Sequence, residues 1–393
     1  LEKVVIINAK RTPIGKLNGA LKSKTAVSLA TDVSKALIDK SGILTSDIDQ
    51  VIFGNAIQAG NGQNVARQIE LKSGLSSKTT AYTINQVCGS GLKAIRQAQL
   101  ELLIGGARVI IAGGTESMSN VPFLNMNQRQ PIKFGSITVY DGLEHDGLTD
   151  AFSNLPMGIT AENVAKTYNI SREQQDNFAL NSHLKAQAAI RNHYFDDELI
   201  PIQITNKKKT TLVSQDEAVR FDTSLAQLAK LRPSFKETGT VTAGNAAGLN
   251  DGASALMMTT ADHARQLGVT PLAEIIDYAE QGIDPNIMGY APYYAIKKLL
   301  KQRKMQPEDI DLFEINEAFA SQSVAVARDL HIPEDRLNIN GGAIALGHPL
   351  GDSGARIVTT LIHNLKRTGK TYGIASLCMG GGMGSAMLLK KYG

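Results

Sequence analysis

The chain has no tryptophan and only two cysteines among 393 residues. Two thiols in so long a chain cannot make a disulfide framework, so they read as reduced cysteines of a cytosolic protein. Charge of one sign is also missing. The 41 Lys and Arg against 37 Asp and Glu leave a net +4, too balanced for a dedicated nucleic-acid binder, although a local patch for a small anion remains open. No apolar run approaches the roughly 18 residues of a membrane span. The start, Glu2-Lys3-Val4-Val5-Ile6-Ile7, is strand-like and too short for a signal-peptide core. Lys390-Lys391-Tyr392-Gly393 matches no common C-terminal address. The expected location is the cytoplasm, and the length allows two or three domains with substantial cores.

Short β-branched runs such as Val51-Ile52-Phe53, Val109-Ile110-Ile111 and Leu312-Phe313-Glu314-Ile315 alternate with amphipathic helical runs, the pattern of an α/β fold. A repeat runs through them. Asp47 to Ala56 aligns without gaps on Asp309 to Ala318, 262 residues later, and Ser90-Gly91 falls on Ser353-Gly354 at an offset of 263. After the helical runs that follow, Val109 to Ala112 meets Tyr372 to Ala375. Three matches in order argue for two similar α/β halves. The stretch from about Asn120 to Gly248 breaks the repeat. It carries helical runs over Thr160–Tyr168 and Arg172–His193 and the basic tract Lys207-Lys208-Lys209, and reads as a large insertion over a site shared by the halves.

Both cysteines lie in glycine-rich turns, Val87-Cys88-Gly89-Ser90-Gly91 and Cys378-Met379-Gly380-Gly381-Gly382. Cys88 stands between a strand-like run, Thr80 to Ile84, and a helix-like run, Leu92 to Ile104. A sulfur there faces the unpaired N–H groups of a helix start, which favour thiolate over thiol. That makes Cys88 a candidate nucleophile, against the alternative of a small buried hydrophobe. Asn316 lies between a strand and a helical run from Ala318 to Leu330, and His348 is held in a loop between Gly347 and Pro349. An amide donor and an imidazole suit an oxyanion and a thiol proton. Equally, Asn316 could cap its helix, His348 could be a turn residue, and the glycines beside Cys378 could serve only strand crossing. None of the seven histidines forms a ligand cluster, so no metal is expected.

Several motifs, in order and spread end to end, resemble the thiolases, of the acetyl-CoA acetyltransferase (acetoacetyl-CoA thiolase) type. They are Arg11-Thr12-Pro13-Ile14-Gly15, Asn85-Gln86-Val87-Cys88-Gly89-Ser90-Gly91-Leu92, Gly113 to Ser119, Met157 to Asn163, Thr242-Ala243-Gly244-Asn245, Gly248 to Ala253, Asn316-Glu317-Ala318-Phe319, Gly347-His348-Pro349 and Cys378-Met379-Gly380-Gly381. The resemblance implies two duplicated αβαβα halves forming a five-layered core, with residues 1–119 plus 249–269 in one, 270–393 in the other, and 120–248 as an inserted loop domain. It also implies a reversible Claisen condensation of two acetyl-CoA to acetoacetyl-CoA and CoA. Cys88 would be the nucleophile and His348 would take its proton. Cys378 would be the acid and base at the α-carbon. Asn316 would hold a water at the enolate oxygen, and the Gly380 N–H would join that of Cys88 in an oxyanion site. Met157, Arg220, Ala247, Ala243, Phe319 and Leu148 match substrate-binding positions, with Arg220 near the adenine end of CoA and Lys207–Lys209 either a phosphate neighbour or a solvated loop. CoA is part of the substrate and no further cofactor is implied. The segment Ser119 to Asp146 matches a loop used in tetramer assembly, so the expected state is a homotetramer built as a dimer of dimers.

Four residues depart from that pattern. Pro156 stands where acetyl-specific relatives usually carry histidine, Ala247 where a serine commonly bonds pantetheine, Thr115 where methionine is frequent, and Asp352 where a small residue is usual. Asp352 is expected to cap the helix after it; near His348 it would raise the imidazole pKa. Pro156 is expected to reshape the acyl pocket, which keeps a broader 3-ketoacyl-CoA thiolase open. A decarboxylating ketoacyl synthase is disfavoured by Cys378, and a non-catalytic acyl-CoA-binding protein by the complete set of expected catalytic residues.

Overall fold

The computed structural model describes residues 2–206 and 209–393. Lys207 and Lys208 of the basic tract lie outside the described residues; Lys209 opens an exposed strand, Lys209–Val213, paired with Ile202–Asn206.

Among the described residues nine strands build the central sheet, with a tenth two-residue strand, Gly15–Lys16, beside them. In the first half these are β1 (Val4–Arg11), β2 (Gln50–Gly54), β3 (Thr80–Ile84), β4 (Val109–Ser117) and β5 (Asn250–Thr260), in the spatial order β3-β2-β4-β5-β1. In the second half β6 (Ala273–Gly282), β7 (Leu312–Ile315), β8 (Tyr372–Met379) and β9 (Met383–Lys391) follow the order β7-β8-β9-β6. The halves have the same topology. β2 and β7 run parallel to β4 and β8, which pair antiparallel with β5 and β9, and these pair antiparallel with β1 and β6. The sequence repeat is therefore a structural one. Where the first half has β3, the second has a single bridge, Phe313 to Leu337. The halves join along β1 and β6, at Val5↔Glu274 and Ile6↔Ala273.

Alternation along the strands sets the layers. Val109 and Ile111 face an outer core with helices α1 (Ala26–Asp39) and α2 (Val65–Lys72), while Ile110 and Ala112 face the centre. On the other side Ala386 and Leu388 face outward and Met387 and Leu389 inward. Both faces are covered, so the strands read as unbroken apolar runs. The central layer holds α3 (Ser90–Leu103) and, near the C-terminus, Ser353–Thr368. The outermost layer of the second half includes Ala291–Arg303, with Ala320–Asp329 in the same core. Five layers result.

Four element boundaries moved from the sequence reading. α3 starts at Ser90, Ala320–Asp329 starts two residues past Ala318, and the insertion's helices are Met157–Thr167 and Arg172–Arg191. The last begins with a capping box between Ser171 and Gln174. A buried guanidinium ties the insertion to β1. Arg11 pairs with Asp216 at 2.7 and 2.9 Å and with Glu198 at 2.5 Å, all three buried. Two carboxylates on one fully desolvated arginine hold its proton more firmly than usual.

Candidate active site

The Cys88 turn is strained and closely bonded. Val87 has φ +50°, a left-handed conformation costly for a β-branched residue. The Asn85 side chain accepts from the Val87 N–H at 3.0 Å, and Ser90 Oγ accepts from the Gln86 N–H at 2.9 Å while donating to the Val87 carbonyl at 2.6 Å. These bonds present Cys88 just ahead of α3. The backbone N–H groups of Gly380 and of Cys88 itself point at its sulfur, and both favour the thiolate. Burial outweighs them and pushes the thiol up to about 12. The expectation of a resting thiolate is thus corrected: desolvation exceeds what the N–H groups and helix start return.

His348 is reached by an equivalent route from the second half. Gly347, at φ +118°, brings the loop against Asn250, whose Oδ1 accepts the His348 N–H at 2.9 Å while its Nδ2 donates to the Gly15 carbonyl. Beyond His348, the Gly351 N–H donates to Glu116 at 2.9 Å. Glu116 also accepts from Asn55 Nδ2 and the Ala56 and Ile57 N–H groups, tying both halves beneath the site. The ring's Nδ1 lies 2.5 Å from Ser353 Oγ and 3.3 Å from Asn316 Nδ2. Among the described residues no protein group bonds Nε2. Burial, and next Arg356, lower the imidazole to about 3. With the thiol high and the imidazole low, both are neutral near pH 7, so the proton moves as the sulfur attacks.

Asn316 does not cap its helix. The capping position is Phe319, and no side chain bonds there. Instead Asn316 is fully buried behind His348, with Oδ1 lacking a partner. Cys378, the last residue but one of β8, is 1% exposed, in an apolar cluster with Met288 and Ala318, against which Met157 and Phe319 pack. Its S–H donates to Gln322 Oε1 at 3.4 Å. Burial raises its pKa, and Cys88 raises it further.

Cys88, His348, Gly380, Met157, Leu148, Phe319 and Ala247 line one cavity of about 930 Å³. Arg220 and Ala243 line a second, of about 360 Å³, that shares Gly248 and Leu249 with the first. Cys378 and Asn316 are buried and line neither cavity. The insertion therefore contributes a continuous run of surface from the thiol to the exposed Arg220, whose N–H donates to buried His183. Sequence reasoning assigned no role to Met118, Met288, Met383 or Phe152 in the cavity wall, nor to Asn250, Glu116, Ser353 and Gln322 around the reactive groups. Ser353 had a local signal in its repeat match with Ser90, and Glu116, Met118 and Asn250 stood inside motifs of the resemblance without a role.

The departures find their places. Thr115 donates to the Ala26 carbonyl at 2.7 Å and so ties β4 to α1. Pro156 is exposed and precedes the helix from Met157; contrary to the expectation that it shapes the acyl pocket, it does not line the cavity, whereas Met157 does. The expected cap at Asp352 is absent: its carboxylate turns away from its own helix toward Ser254 on β5. Burial pushes it up to about 7, and it is not among the charges that act on His348. The helix start gains nothing from it because the side chain points into the sheet.

Residues 4–262 match the family described as "Thiolase, N-terminal domain", and residues 269–391 match "Thiolase, C-terminal domain". A probable acetyl-CoA acyltransferase of Staphylococcus aureus strain COL is 47% identical over the whole of both chains. The crystal structure of the Bacillus anthracis acetyl-CoA acetyltransferase superposes with a TM-score of 0.97 at 42% identity, covering 100% of this chain and 99% of that one. Human mitochondrial 3-ketoacyl-CoA thiolase superposes at 0.96 with 43% identity, covering 99% of each. Both family regions are present in order and relatives match end to end, so the chain belongs to the thiolases and is an acyltransferase of thiolase type.

Proposed function

We propose that the chain catalyses the reversible Claisen condensation of two acetyl-CoA to acetoacetyl-CoA and CoA. The observation that carries this is that one cavity is lined by Cys88, whose sulfur has two N–H groups aimed at it, and by His348, whose Nε2 is bonded by no protein group among the described residues. Cys88 attacks the thioester carbonyl as His348 Nε2 takes its proton, and the Cys88 and Gly380 N–H groups hold the oxyanion. The intermediate collapses with expulsion of CoA sulfur, which Cys378 protonates. The Cys378 thiolate then removes an α-proton from the second acetyl-CoA, and the enolate oxygen is met by His348 and a water held by Asn316. Enolate carbon attacks the acetyl group on Cys88, the carbon–sulfur bond breaks, and His348 returns the proton to Cys88. Every step uses side chains and backbone N–H groups of this chain, with CoA as part of the substrate and no further cofactor.

Met157, Leu148, Phe319 and Ala247 would contact the acyl and pantetheine parts; Ala243 and Arg220 would contact the adenine end. We divide the chain as 1–119 plus 249–269, 120–248 and 270–393, and place it in the cytoplasm, where both thiols stay reduced. A homotetramer is supported by the half-exposed edge strand β3 and by Phe123, Met126, Ile132, Phe134, Ile137 and Tyr140, all exposed within one loop.

A second reading, a broader 3-ketoacyl-CoA thiolase, is favoured by the wall of Met118, Met157, Met288, Met383 and Phe152, since methionines reshape around ligands of different length. Thiolysis of acetoacetyl-CoA and longer 3-ketoacyl-CoAs at matched concentrations separates the two. The first reading requires kcat/KM to fall at least tenfold beyond four carbons; equal rates on longer chains would replace it with the second. Cys378→Ala should still take an acetyl group on Cys88 and lose condensation, whereas Cys88→Ala should lose both. Turnover by Cys88→Ala would remove the mechanism altogether.

A further inference from the structure

Ser353 and Ser90 occupy matching places at the starts of the two central helices, and their hydroxyls make matching bonds. Ser90 donates to the carbonyl of Val87, three residues back, and accepts from the Gln86 N–H, a group that can only donate. Ser353 donates to the carbonyl of Pro349, four residues back, at 2.8 Å. With its one proton committed there, its remaining contact, His348 Nδ1 at 2.5 Å, is an N–H donating to Ser353 Oγ. The proton is then on Nδ1 and the lone pair on Nε2. A protonated Nδ1 also sets the neighbouring amide: the Asn316 atom 3.3 Å away is then the amide oxygen and not the NH₂ group, with oxygen and nitrogen exchanging places. The atom of Asn316 that is buried without a partner then becomes an N–H₂ donor.

We propose that Ser353 is a positioning residue that fixes His348 in the Nδ1–H tautomer, leaving Nε2 free to accept a proton and presenting the Asn316 NH₂ group as a donor. The opposite assignment, with the hydroxyl donating to Nδ1, puts the proton on Nε2 and leaves no base there. The charged and titratable groups around the ring are Arg356 on the same helix, Cys88 in the shared cavity wall, and Glu116 beneath the Gly351 turn. The proposal rests on the reading that His348 takes the Cys88 proton.

The test compares wild type, Ser353→Ala and Ser353→Thr from pH 6 to 10. Single-turnover acylation of Cys88 by acetoacetyl-CoA and its alkylation by iodoacetamide are both read by intact mass. In Ser353→Ala, Nε2–H becomes populated. Acylation at pH 7 should slow on the order of 10²-fold, the range of a lost general base, and recover as pH rises and the thiolate forms without help. Ser353→Thr, which keeps the hydroxyl, should restore the wild-type profile. An Ala variant with wild-type rate and pH profile would overturn the proposal. So would one slowed equally at every pH, the mark of a purely structural role. Iodoacetamide needs no acyl-CoA: if acyl-CoA fails to label even the wild type, the functional reading falls, while the alkylation profiles of the variants still decide the role of Ser353.

Discussion

Gly380 and Gly382 are two residues apart and are glycine for different reasons. A Cβ on Gly382 would lie 2.5 Å from the Ile283 carbonyl, on a backbone at φ +80° that side chains rarely adopt. On Gly384 it would meet the Ala291 backbone at 2.5 Å. Close approach of the backbone after β6 and of the helix start at Ala291 therefore accounts for these two, in place of the strand crossing expected from the sequence. At Gly380 it would touch only Val87 at 3.4 Å and the Met157 sulfur at 3.9 Å, ordinary contacts, so packing leaves room for alanine. Gly380 does line the cavity, with its N–H aimed at the Cys88 sulfur. Gly380→Ala should keep the wild-type melting temperature and lose thiolysis kcat/KM by on the order of 10²-fold, as its methyl crowds the oxyanion space. Circular dichroism melts and steady-state kinetics check both halves of that statement. Full activity would remove Gly380 from the oxyanion site.

At the scale of elements, the repeated Ser-Gly pair marks where the two central helices cross. A Cβ on Gly354 would sit 2.3 Å from the Leu92 N, and one on Gly91 would sit 2.8 Å from the Ala355 N. Backbone atoms at such distances cannot yield as a flexible side chain can. Gly354→Ala should therefore force the helices apart, at a cost of about 3 kcal/mol by the usual scale of overpacking. Cys88 and His348 precede these same helices, so activity should fall together with the urea midpoint. An unchanged midpoint with intact activity would show that the crossing is not tight. The repeat was legible in the sequence because both glycines are required by backbone contact. Of the cavity wall, Met157, Leu148, Phe319 and Ala247 were legible only through the family resemblance, and Met118, Met288 and Met383 were not, because they share no spacing and meet only through the packing of both halves and the insertion.

For the whole molecule, burial of titratable groups at the centre sets a pH dependence. Burial raises Glu116 and Asp352 to about 7 and Glu314 to about 8, the last despite Arg356 at 3.7 Å. Each carboxyl keeps a proton in the folded protein that it has lost in the unfolded chain, so its stabilisation is full at acid pH and is lost as pH rises through its folded value. His348 and His183, lowered to about 3 and about 4, work the other way: they cost stability as pH falls below about 6.5, their ordinary value, and above it add no pH dependence. Between about pH 6.5 and 8 only the carboxyls act, and stability should decline. Calorimetric melting at pH 6.5 and 8.5 checks this, with Glu314→Gln expected to make the decline shallower. A flat or rising melting temperature would contradict it.

The sequence by itself determined the α/β class, the duplication, the thiolase resemblance and the turns holding Cys88, His348 and Cys378. These follow from local pattern: strand and helix periodicity, and glycines where backbone comes close. Tertiary structure decided what depends on neighbours distant in the chain. It protonated Cys88 through burial, turned Asp352 from its helix toward Ser254, placed Asn316 behind His348 in place of capping, and left Gly380 free of any packing need. Desolvation, hydrogen-bond partners and free space are properties of the surroundings of a side chain, and in this fold those surroundings come from both halves at once.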